Sequence, residues 1–238
     1  MAKYNRILLK LSGEALMGQS KFGHDSIAIN RIVQDIKEVI DLGIELCIVV
    51  GGGNIYRGSN SKALGVSRTC GDYMGMLGTV MNALVLQSSL AAINLEARVM
   101  SAITMDKVCE AYRQQRAESC LAKSKIVIFA AGTGNPFFTT DTAAVLRSIE
   151  MKCDLLLKGT QVDGVYSDNP MKNNDAKRLE IVTYDEVIKN NLNVMDLTAV
   201  ALAKENNLPI KVFSIHEAGN FAKVLSDNGT FTMITKEK

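Results

Sequence analysis

Small and glycine-rich segments follow four predicted strands, and segments of this kind are typical of phosphate-binding sites. They are residues 10–13 (KLSG), 51–54 (GGGN), 131–136 (AGTGNP) and 158–160 (KGT). Glycine lets backbone N–H groups approach phosphate oxygens, and the N-terminus of a following helix adds a positive dipole. One glycine turn is weak evidence, because turns need glycine in any case. Four such turns at one edge of a sheet predict a site for phosphorylated ligands.

Three cationic side chains lie beside these segments. Lys10 ends the first apolar strand, Arg57 follows the triple glycine, and Lys158 ends the apolar run 155–157. A cation at a strand end suits the charge that a phosphoryl group spreads over its oxygens during transfer. Any one of them alone would more often extend to solvent. The prediction of phosphoryl-transfer chemistry therefore depends on the three acting together.

Four aspartates lie next to glycine or threonine near the ends of predicted elements: Asp72, Asp141, Asp163 and Asp196. Some could bind sugar hydroxyls or a Mg²⁺ ion carried by a nucleotide. Others could cap helices, which is the commoner use of Asp at such places. Both interpretations stay open at this point.

Several familiar motifs are absent from the sequence. Residues 159–164 have the glycine spacing of a P-loop, but Val165 stands where that motif requires Lys. No G-x-G-x-x-G fingerprint follows the first strand, and with two histidines no Ser/His/Asp or Cys/His arrangement suggests itself. P-loop kinases, dehydrogenases and acyl transferases are therefore disfavoured.

The elements that must position these residues alternate between apolar strands and amphipathic helices. We predict strands over 6–11, 44–50, 97–103, 125–130, 154–158, 210–213 and 230–234. We predict helices over 29–40, 79–93, 105–121, 140–151, 196–205 and 217–225. Thr104 is a candidate cap for the 105–121 helix, and Thr183 and Glu186 match a capping box. Apolar strands between helices predict an α/β protein, a three-layer αβα sandwich with a mostly parallel central sheet.

Length and composition predict one domain without nucleic-acid or membrane partners. The chain has 238 residues, 47% of them hydrophobic, and a net charge of +2. No apolar run approaches the roughly 20 residues of a spanning helix. The five cysteines are an odd number without close spacing, which favours free thiols in a reducing cytoplasm. The polar stretch 167–180 predicts a mobile loop near a soft boundary between two lobes, about 1–150 and 151–238.

Three short motifs resemble the amino acid kinase family: KLSGE at 10–14, GGGN at 51–54 and DGVY at 163–166. Two longer stretches, 71–82 and 132–141, resemble the bacterial uridylate kinases within it. The resemblance implies transfer of the γ-phosphoryl group of ATP to UMP in pyrimidine biosynthesis. It implies Mg²⁺ carried with ATP and no resident metal, UMP in the first lobe and ATP in the second. The acceptor is already a phosphate anion, so no strong general base is needed.

The resemblance also implies a role for individual residues. Those implied in catalysis are Lys10, Arg57, Asp141 and Lys158. Those implied to bind ATP are Lys10, Leu11, Ser12, Gly13, Gly53, Arg57, Thr160, Gln161, Tyr166 and Asn169. Those implied to bind UMP are Gly52, Asp72, Thr133, Gly134, Asn135, Pro136, Phe137, Phe138, Thr139 and Thr140. Asp72 would contact the ribose hydroxyls, while the two phenylalanines could flank a base or pack in the core.

Relatives of this kind are homohexamers that UTP often inhibits and GTP in some cases activates, so both regulators are implied here. The sequence departs from the family twice: Asn169 stands where Asp is usual, and Lys21 replaces a small residue in the segment linked to GTP. Two alternatives stay open. One is another kinase of the family, with a carboxylate or carbamate acceptor. The other is a nucleotide-binding regulator without turnover.

Overall fold

The structure, a computed structural model, describes residues 3–57, 65–168, 173 and 175–237. Its strands are β1 (Arg6–Leu11), β2 (Glu45–Val50), β3 (Ala97–Ser101), β4 (Glu110–Ala111), β5 (Ile126–Ala130), β6 (Leu155–Thr160), β7 (Val165–Tyr166), β8 (Arg178–Leu179), β9 (Ile181–Thr183), β10 (Ile210–Ser214) and β11 (Thr232–Thr235). Its helices are α1 (Ser26–Asp41), α2 (Arg68–Ala91), α3 (Gln114–Leu121), α4 (Thr140–Glu150), α5 (Tyr184–Lys189), α6 (Leu197–Glu205) and α7 (Asn220–Leu225). A short 3₁₀ turn, Gly13–Leu16, follows β1.

Nine of these strands form one sheet in the order β4-β3-β5-β2-β1-β6-β10-β11-β9. Every pair is parallel except β10 with β11. The predicted mostly parallel α/β sheet is therefore confirmed. Because β1, β2, β5 and β6 run in the same direction, the four glycine-rich segments that follow or end them lie at one edge of the sheet.

Alternate residues of each strand pack on opposite faces of the sheet, as the period of two requires. On β1, Ile7 and Leu9 join the core under α1, α2 and α7, whereas Leu8 joins the core under α3 to α6. The same alternation places Lys10 on the Leu8 face, toward α4. Helices cover both faces, which is why the strands are apolar throughout.

Two predicted helices differ from the structure. The prediction of 79–93 was too short, because α2 already begins at Arg68, where the Ser67 hydroxyl accepts from the Cys70 N–H. The prediction of 105–121 was wrong in its first half. Glu110 pairs with Met100 at the sheet edge, and α3 starts only at residue 114. The open hydrogen-bonding groups of β3 favoured strand pairing over the local helical pattern.

Helix α2 bears on the expectation that no apolar run approaches the length of a membrane span. Among the described residues, α2 is long and apolar enough to cross a membrane by length and composition alone, with 24 residues and an 18-residue window of mean hydropathy 1.3. Polar residues and glycines interrupt this helix, so it contains no unbroken apolar run of that length. In the fold, 44% of its most apolar window is buried, and the helix packs against β2, β3 and β5 as core helices do.

Candidate active site

The turns after β1 and β2 approach so closely that side chains would not fit between them. The Gly51 N–H donates to Leu11 O at 2.9 Å. A Cβ on Gly13 would lie 2.7 Å from Gly51 O, and one on Gly52 would lie 2.5 Å from Gly75 O in α2. Glycine is therefore required where these turns pack on each other and on α2.

Two lysines on neighbouring strands share one carboxylate. Lys10 on β1 is directly opposite Lys158 on β6. Lys10 Nζ lies 2.7 Å from Asp141 Oδ1, and Lys158 Nζ donates to Asp141 Oδ2 at 2.5 Å. Asp141 is in the first turn of α4, where the Thr139 side chain accepts from its N–H at 3.0 Å. The predicted catalytic residues Lys10, Asp141 and Lys158 are thus brought together.

Burial and the neighbouring charges have opposite effects on the pKa values of Asp141 and Lys158. Burial alone would raise the pKa of Asp141, but attraction from Lys10 and Lys158 outweighs it, so the pKa lies below its ordinary value. Burial lowers the pKa of Lys158, and the attraction of Asp141 offsets this only in part. The cluster keeps a cationic surface at the strand ends while the carboxylate reduces the repulsion between the two ammonium groups.

The larger cavity, of about 520 Å³, lies beside these lysines. The residues implied to bind ATP that line it are Lys10, Ser12, Thr160, Gln161 and Tyr166. Leu11 ends β1 with its side chain fully buried in the core. Gly13, Gly53 and Arg57 lie outside its lining. Asn169 lies outside the described residues.

Arg57 contacts residues of the β1 and β2 turns. Its guanidinium pairs with Glu14 Oε1 at 2.8 Å, and its Nε donates to Gly53 O at 3.3 Å. About half of the Arg57 side chain is exposed, so it can turn toward a bound anion. The structure thus places Arg57 at the glycine turns, outside the linings of both cavities.

The smaller cavity, of about 330 Å³, is bounded by the glycine turn after β2 and by α2. The residues implied to bind UMP that line it are Gly52, Asp72, Thr133, Phe138, Thr139 and Thr140, and Gly53 lines it too. Gly134, Asn135, Pro136 and Phe137 belong to the same segment but lie outside the lining. Phe137 and Phe138 are 65% and 47% exposed, which excludes the core-packing interpretation for both.

Asp72 is held in place from two sides at this cavity. Its Oδ2 accepts from the Phe137 N–H at 2.8 Å and pairs with Arg68 Nε at 3.1 Å. Arg68, Gly71, Gly75 and Thr79 also line the cavity, although none was among the residues implied to bind UMP. The last three lie in the 71–82 stretch, whereas Arg68 lies outside it, in the part of α2 that the predicted helix of 79–93 left out. A capping residue such as Ser67 was the signal that could have extended it.

The other two aspartates singled out in the sequence have protein partners. Asp196 caps α6 by accepting from the Ala199 N–H at 2.9 Å, and it also accepts from Thr139 and Thr142. Asp163 accepts from the Tyr166 hydroxyl at 2.7 Å. Among the described residues, no group of three or more His, Cys, Asp or Glu side chains could hold a metal ion.

The two cavities adjoin at the N-terminus of α4. Thr139 and Thr140 line the smaller one, and the next residue, Asp141, holds the two lysines that line the larger one. Helix N-termini and lysines both attract phosphate groups. This arrangement is suited to two phosphorylated ligands whose charged ends meet.

The fold and the site together indicate a phosphotransferase. The family model described as Amino acid kinase family matches residues 5–214. The chain therefore belongs to the amino acid kinase family.

Individual relatives match this chain over nearly its whole length. A uridylate kinase of Rickettsia felis is 59% identical over 232 residues, which cover 98% of this chain and 96% of the relative. The crystal structure of UMP kinase from Bacillus anthracis superposes with a TM-score of 0.95 at 40% identity, covering 99% of this chain and 97% of that one. UMP kinase from Ureaplasma parvum gives a TM-score of 0.93 at 37% identity, covering 98% and 100%. Within the family, this chain therefore resembles uridylate kinases over nearly its full length.

Proposed function

We propose that this chain is a uridylate kinase that transfers the γ-phosphoryl group of ATP to UMP, giving ADP and UDP. The observation that carries the proposal is the meeting of two cavities at the Lys10–Asp141–Lys158 cluster. The similarity to uridylate kinases over nearly the whole chain supports the same activity. Its product places it in pyrimidine nucleotide synthesis.

ATP occupies the larger cavity in this proposal, and UMP occupies the smaller one. The larger cavity is lined chiefly by residues after 158, and the smaller one by residues 52–140. This division supports one domain with a UMP-binding lobe of about 1–150 and an ATP-binding lobe of about 151–238. Both lobes share a single sheet, because β1 pairs with β2 on one side and β6 on the other.

Catalysis comes from positioning and charge neutralisation. Lys10 and Lys158 contact the phosphates that face the strand ends and offset the charge that develops as the γ-phosphoryl group moves. Asp141 keeps the two ammonium groups at fixed positions. Arg57 joins them by exchanging Glu14 for a phosphate oxygen. Mg²⁺ enters as part of the ATP substrate and neutralises phosphate charge.

Backbone groups of the glycine turn complete the phosphate site. The N–H groups of Gly52 and Gly53 carry no hydrogen bond to another described residue. Successive free N–H groups form a site for anions. On the acceptor side, Asp72 binds the ribose hydroxyls, and the segment 133–140 surrounds the uracil and its phosphate with backbone and threonine groups.

A turnover assay tests this function directly. Release of ADP from ATP-Mg²⁺ is measured with UMP, CMP, dUMP, aspartate and acetylglutamate as acceptors. We expect UMP to be the best acceptor, and Asp72→Ala to raise the KM for UMP while changing that for dUMP less. A carboxylate acceptor preferred over UMP would favour another kinase of the family. Tight UTP binding without turnover of any acceptor would favour a regulator.

Self-association is part of the proposal, as a homohexamer that UTP inhibits and GTP activates in the cytoplasm. An apolar stripe on α2 supports association between copies. Tyr73, Leu77 and Met81 follow one another at four-residue spacing, so they lie on one face of the helix, and each is 43–50% exposed. Large apolar side chains clustered at a surface are typical of protein interfaces.

A further inference from the structure

Two buried asparagines connect the triple-glycine turn to α2. Asn82 of α2 is 0% exposed, and Asn54 directly after the turn is 1% exposed. Asn82 Nδ2 donates to Gly51 O at 2.6 Å and to Asn54 Oδ1 at 2.7 Å. Asn54 Nδ2 donates in turn to Gly23 O at 2.8 Å and to Asn82 Oδ1 at 3.1 Å. Both N–H groups of each amide therefore have an acceptor, as buried polar groups require.

This network fixes the orientation of one peptide group in the site. Gly51 O and the Gly52 N–H belong to the same planar trans peptide, in which C=O and N–H point in opposite directions. Asn82 therefore sets the direction of the Gly52 N–H by holding the Gly51 carbonyl. Between two glycines the backbone has unusual rotational freedom, so an external restraint matters more here than elsewhere.

We propose that Asn82 is a positioning residue for the acceptor nucleotide: it holds the Gly51–Gly52 peptide so that the Gly52 N–H donates to the acceptor phosphate. Gly52 lines the smaller cavity, and its N–H has no acceptor among the described residues. The inference rests on the proposed function, because it takes the nucleotide in that cavity to be UMP.

His24 reports the orientation of the Asn82 amide. Its Nε2 lies 2.7 Å from Asn82 Oδ1. Because Asn82 Nδ2 faces the Gly51 carbonyl, Oδ1 is the atom that faces His24. Oδ1 can only accept, so the Nε2 atom of His24 must carry a proton. With the amide reversed, Oδ1 would face Gly51 O, and Nδ2 would donate to an unprotonated Nε2.

Nitrogen NMR of the two histidine rings tests this orientation in the unmodified protein. The chain has only His24 and His216, so one spectrum of His24→Gln assigns both. At a pH where the ring is neutral, we expect His24 with the proton on Nε2. A proton on Nδ1 alone would overturn the inference, because Asn82 would then present its oxygen to Gly51.

The KM values of an Asn82 variant test whether this residue affects binding of the acceptor nucleotide. Asn82→Asp keeps the size of the side chain and removes both donors to the turn. We expect the KM for UMP to rise about tenfold, the effect of losing one well-placed hydrogen bond, and the KM for ATP to stay within about twofold. Equal increases for both nucleotides would indicate a general loss of structure and would overturn the inference.

A surface variant covers the case in which Asn82→Asp fails to fold. His24 is exposed, so His24→Leu should keep the melting temperature while leaving Asn82 Oδ1 without that donor. We expect the KM for UMP to rise about threefold, and His24→Gln, whose amide nitrogen can replace Nε2, to restore it. An unchanged KM in His24→Leu would overturn the inference. Absence of UMP turnover in the unmodified protein would instead contradict the proposed function, and the NMR result would be unaffected.

Discussion

Asp141 bridges Lys10 and Lys158, so one side chain sets the positions of two cations. The three side chains are each only 10–14% exposed. A charge at that depth is stable only when it is paired, and removing the partner leaves an uncompensated charge that costs several kcal/mol. The same side chain therefore contributes to both folding and chemistry, and substitutions can separate the two contributions.

Asp141→Asn should damage stability and turnover together. We expect the free energy of unfolding to fall by about 3–5 kcal/mol, because two neighbouring buried ammonium groups lose their shared counter-charge. We expect kcat to fall by about 100-fold or more, because the lysines are no longer held toward the phosphates. Urea unfolding followed by fluorescence or circular dichroism gives the first quantity, and the UMP assay gives the second.

Lys158→Met is the matched control for this prediction. Burial already lowers the pKa of Lys158, so its charge is not favoured by the fold. Met fills a similar volume and leaves Asp141 paired with Lys10. We expect the free energy of unfolding to change by no more than about 1 kcal/mol, while turnover falls as far as in Asp141→Asn. A stability loss equal to that of Asp141→Asn would contradict this account of the cluster.

The Asp141 carboxylate also predicts a dependence of stability on pH. Its pKa is lower in the folded protein than the ordinary value of about 4. Its contribution to the free energy of unfolding is therefore complete above about pH 4 and is lost as the pH falls through the folded-state pKa. The difference in unfolding free energy between the unmodified protein and Asp141→Asn should narrow below about pH 4. A difference that is constant from pH 7 to pH 3 would argue against a charged Asp141.

At the scale of elements, the N-terminus of α4 connects the two cavities. The Thr139 side chain accepts from the N–H groups of Asp141 and Thr142 and donates to Asp196, the cap of α6. One threonine thus fixes the start of α4, the position of Asp141 and the contact with a neighbouring helix. The capping box at Thr183 fixes the start of α5 in the same way, but Thr183 lines neither cavity.

This pair of caps allows a controlled comparison. Thr139→Ala and Thr183→Ala should each lower the free energy of unfolding by about 1 kcal/mol, the usual cost of a lost N-cap. Only Thr139→Ala should lower turnover, by about tenfold, because Asp141 loses its backbone anchor next to the lysines. Thermal unfolding and the UMP assay measure the two effects. Similar turnover in both variants would show that the α4 cap is dispensable for the site.

The elements that sequence alone could predict are those whose signal is local. The long apolar strands and the Thr183 capping box belong to this group, and so does α1, which Asp25 caps. Strand β4 does not, because two residues become a strand only when β3 offers an open edge. Strand β9 was not predicted because its partner β11 is about 50 residues away in sequence, and β7 and β8 are only two residues long.

At the scale of the whole molecule, the convergence of the glycine segments followed from the sheet direction and was predictable. The sharing of Asp141 by Lys10 and Lys158 depends in addition on the register of β1 with β6 and on where α4 begins. The cavity-lining stretch 190–194 carries no recognisable motif and is brought to the site by the fold alone. The roles implied for single residues stay predictions until variants are measured.

The exposed stripe of α2 leads to a prediction about assembly. A helix that packs one face on the sheet and exposes Tyr73, Leu77 and Met81 on another has apolar surface that a second copy can cover. The double variant Leu77→Glu, Met81→Glu would place charges in that contact, where they could not be solvated. We expect size-exclusion chromatography with light scattering to give a smaller particle than for the unmodified protein.

The control for this experiment is Val108→Glu, which changes a side chain of similar exposure, 51%, outside α2. Surface substitutions alter the stability of a single copy by no more than about 0.5 kcal/mol, so neither variant should unfold the chain at room temperature. Val108→Glu should keep the full assembly, because the contact on α2 is intact. An unmodified protein that is already a monomer, or a double variant of unchanged mass, would contradict an interface on α2. In the case of a double variant of unchanged mass, the copies would have to associate through another face.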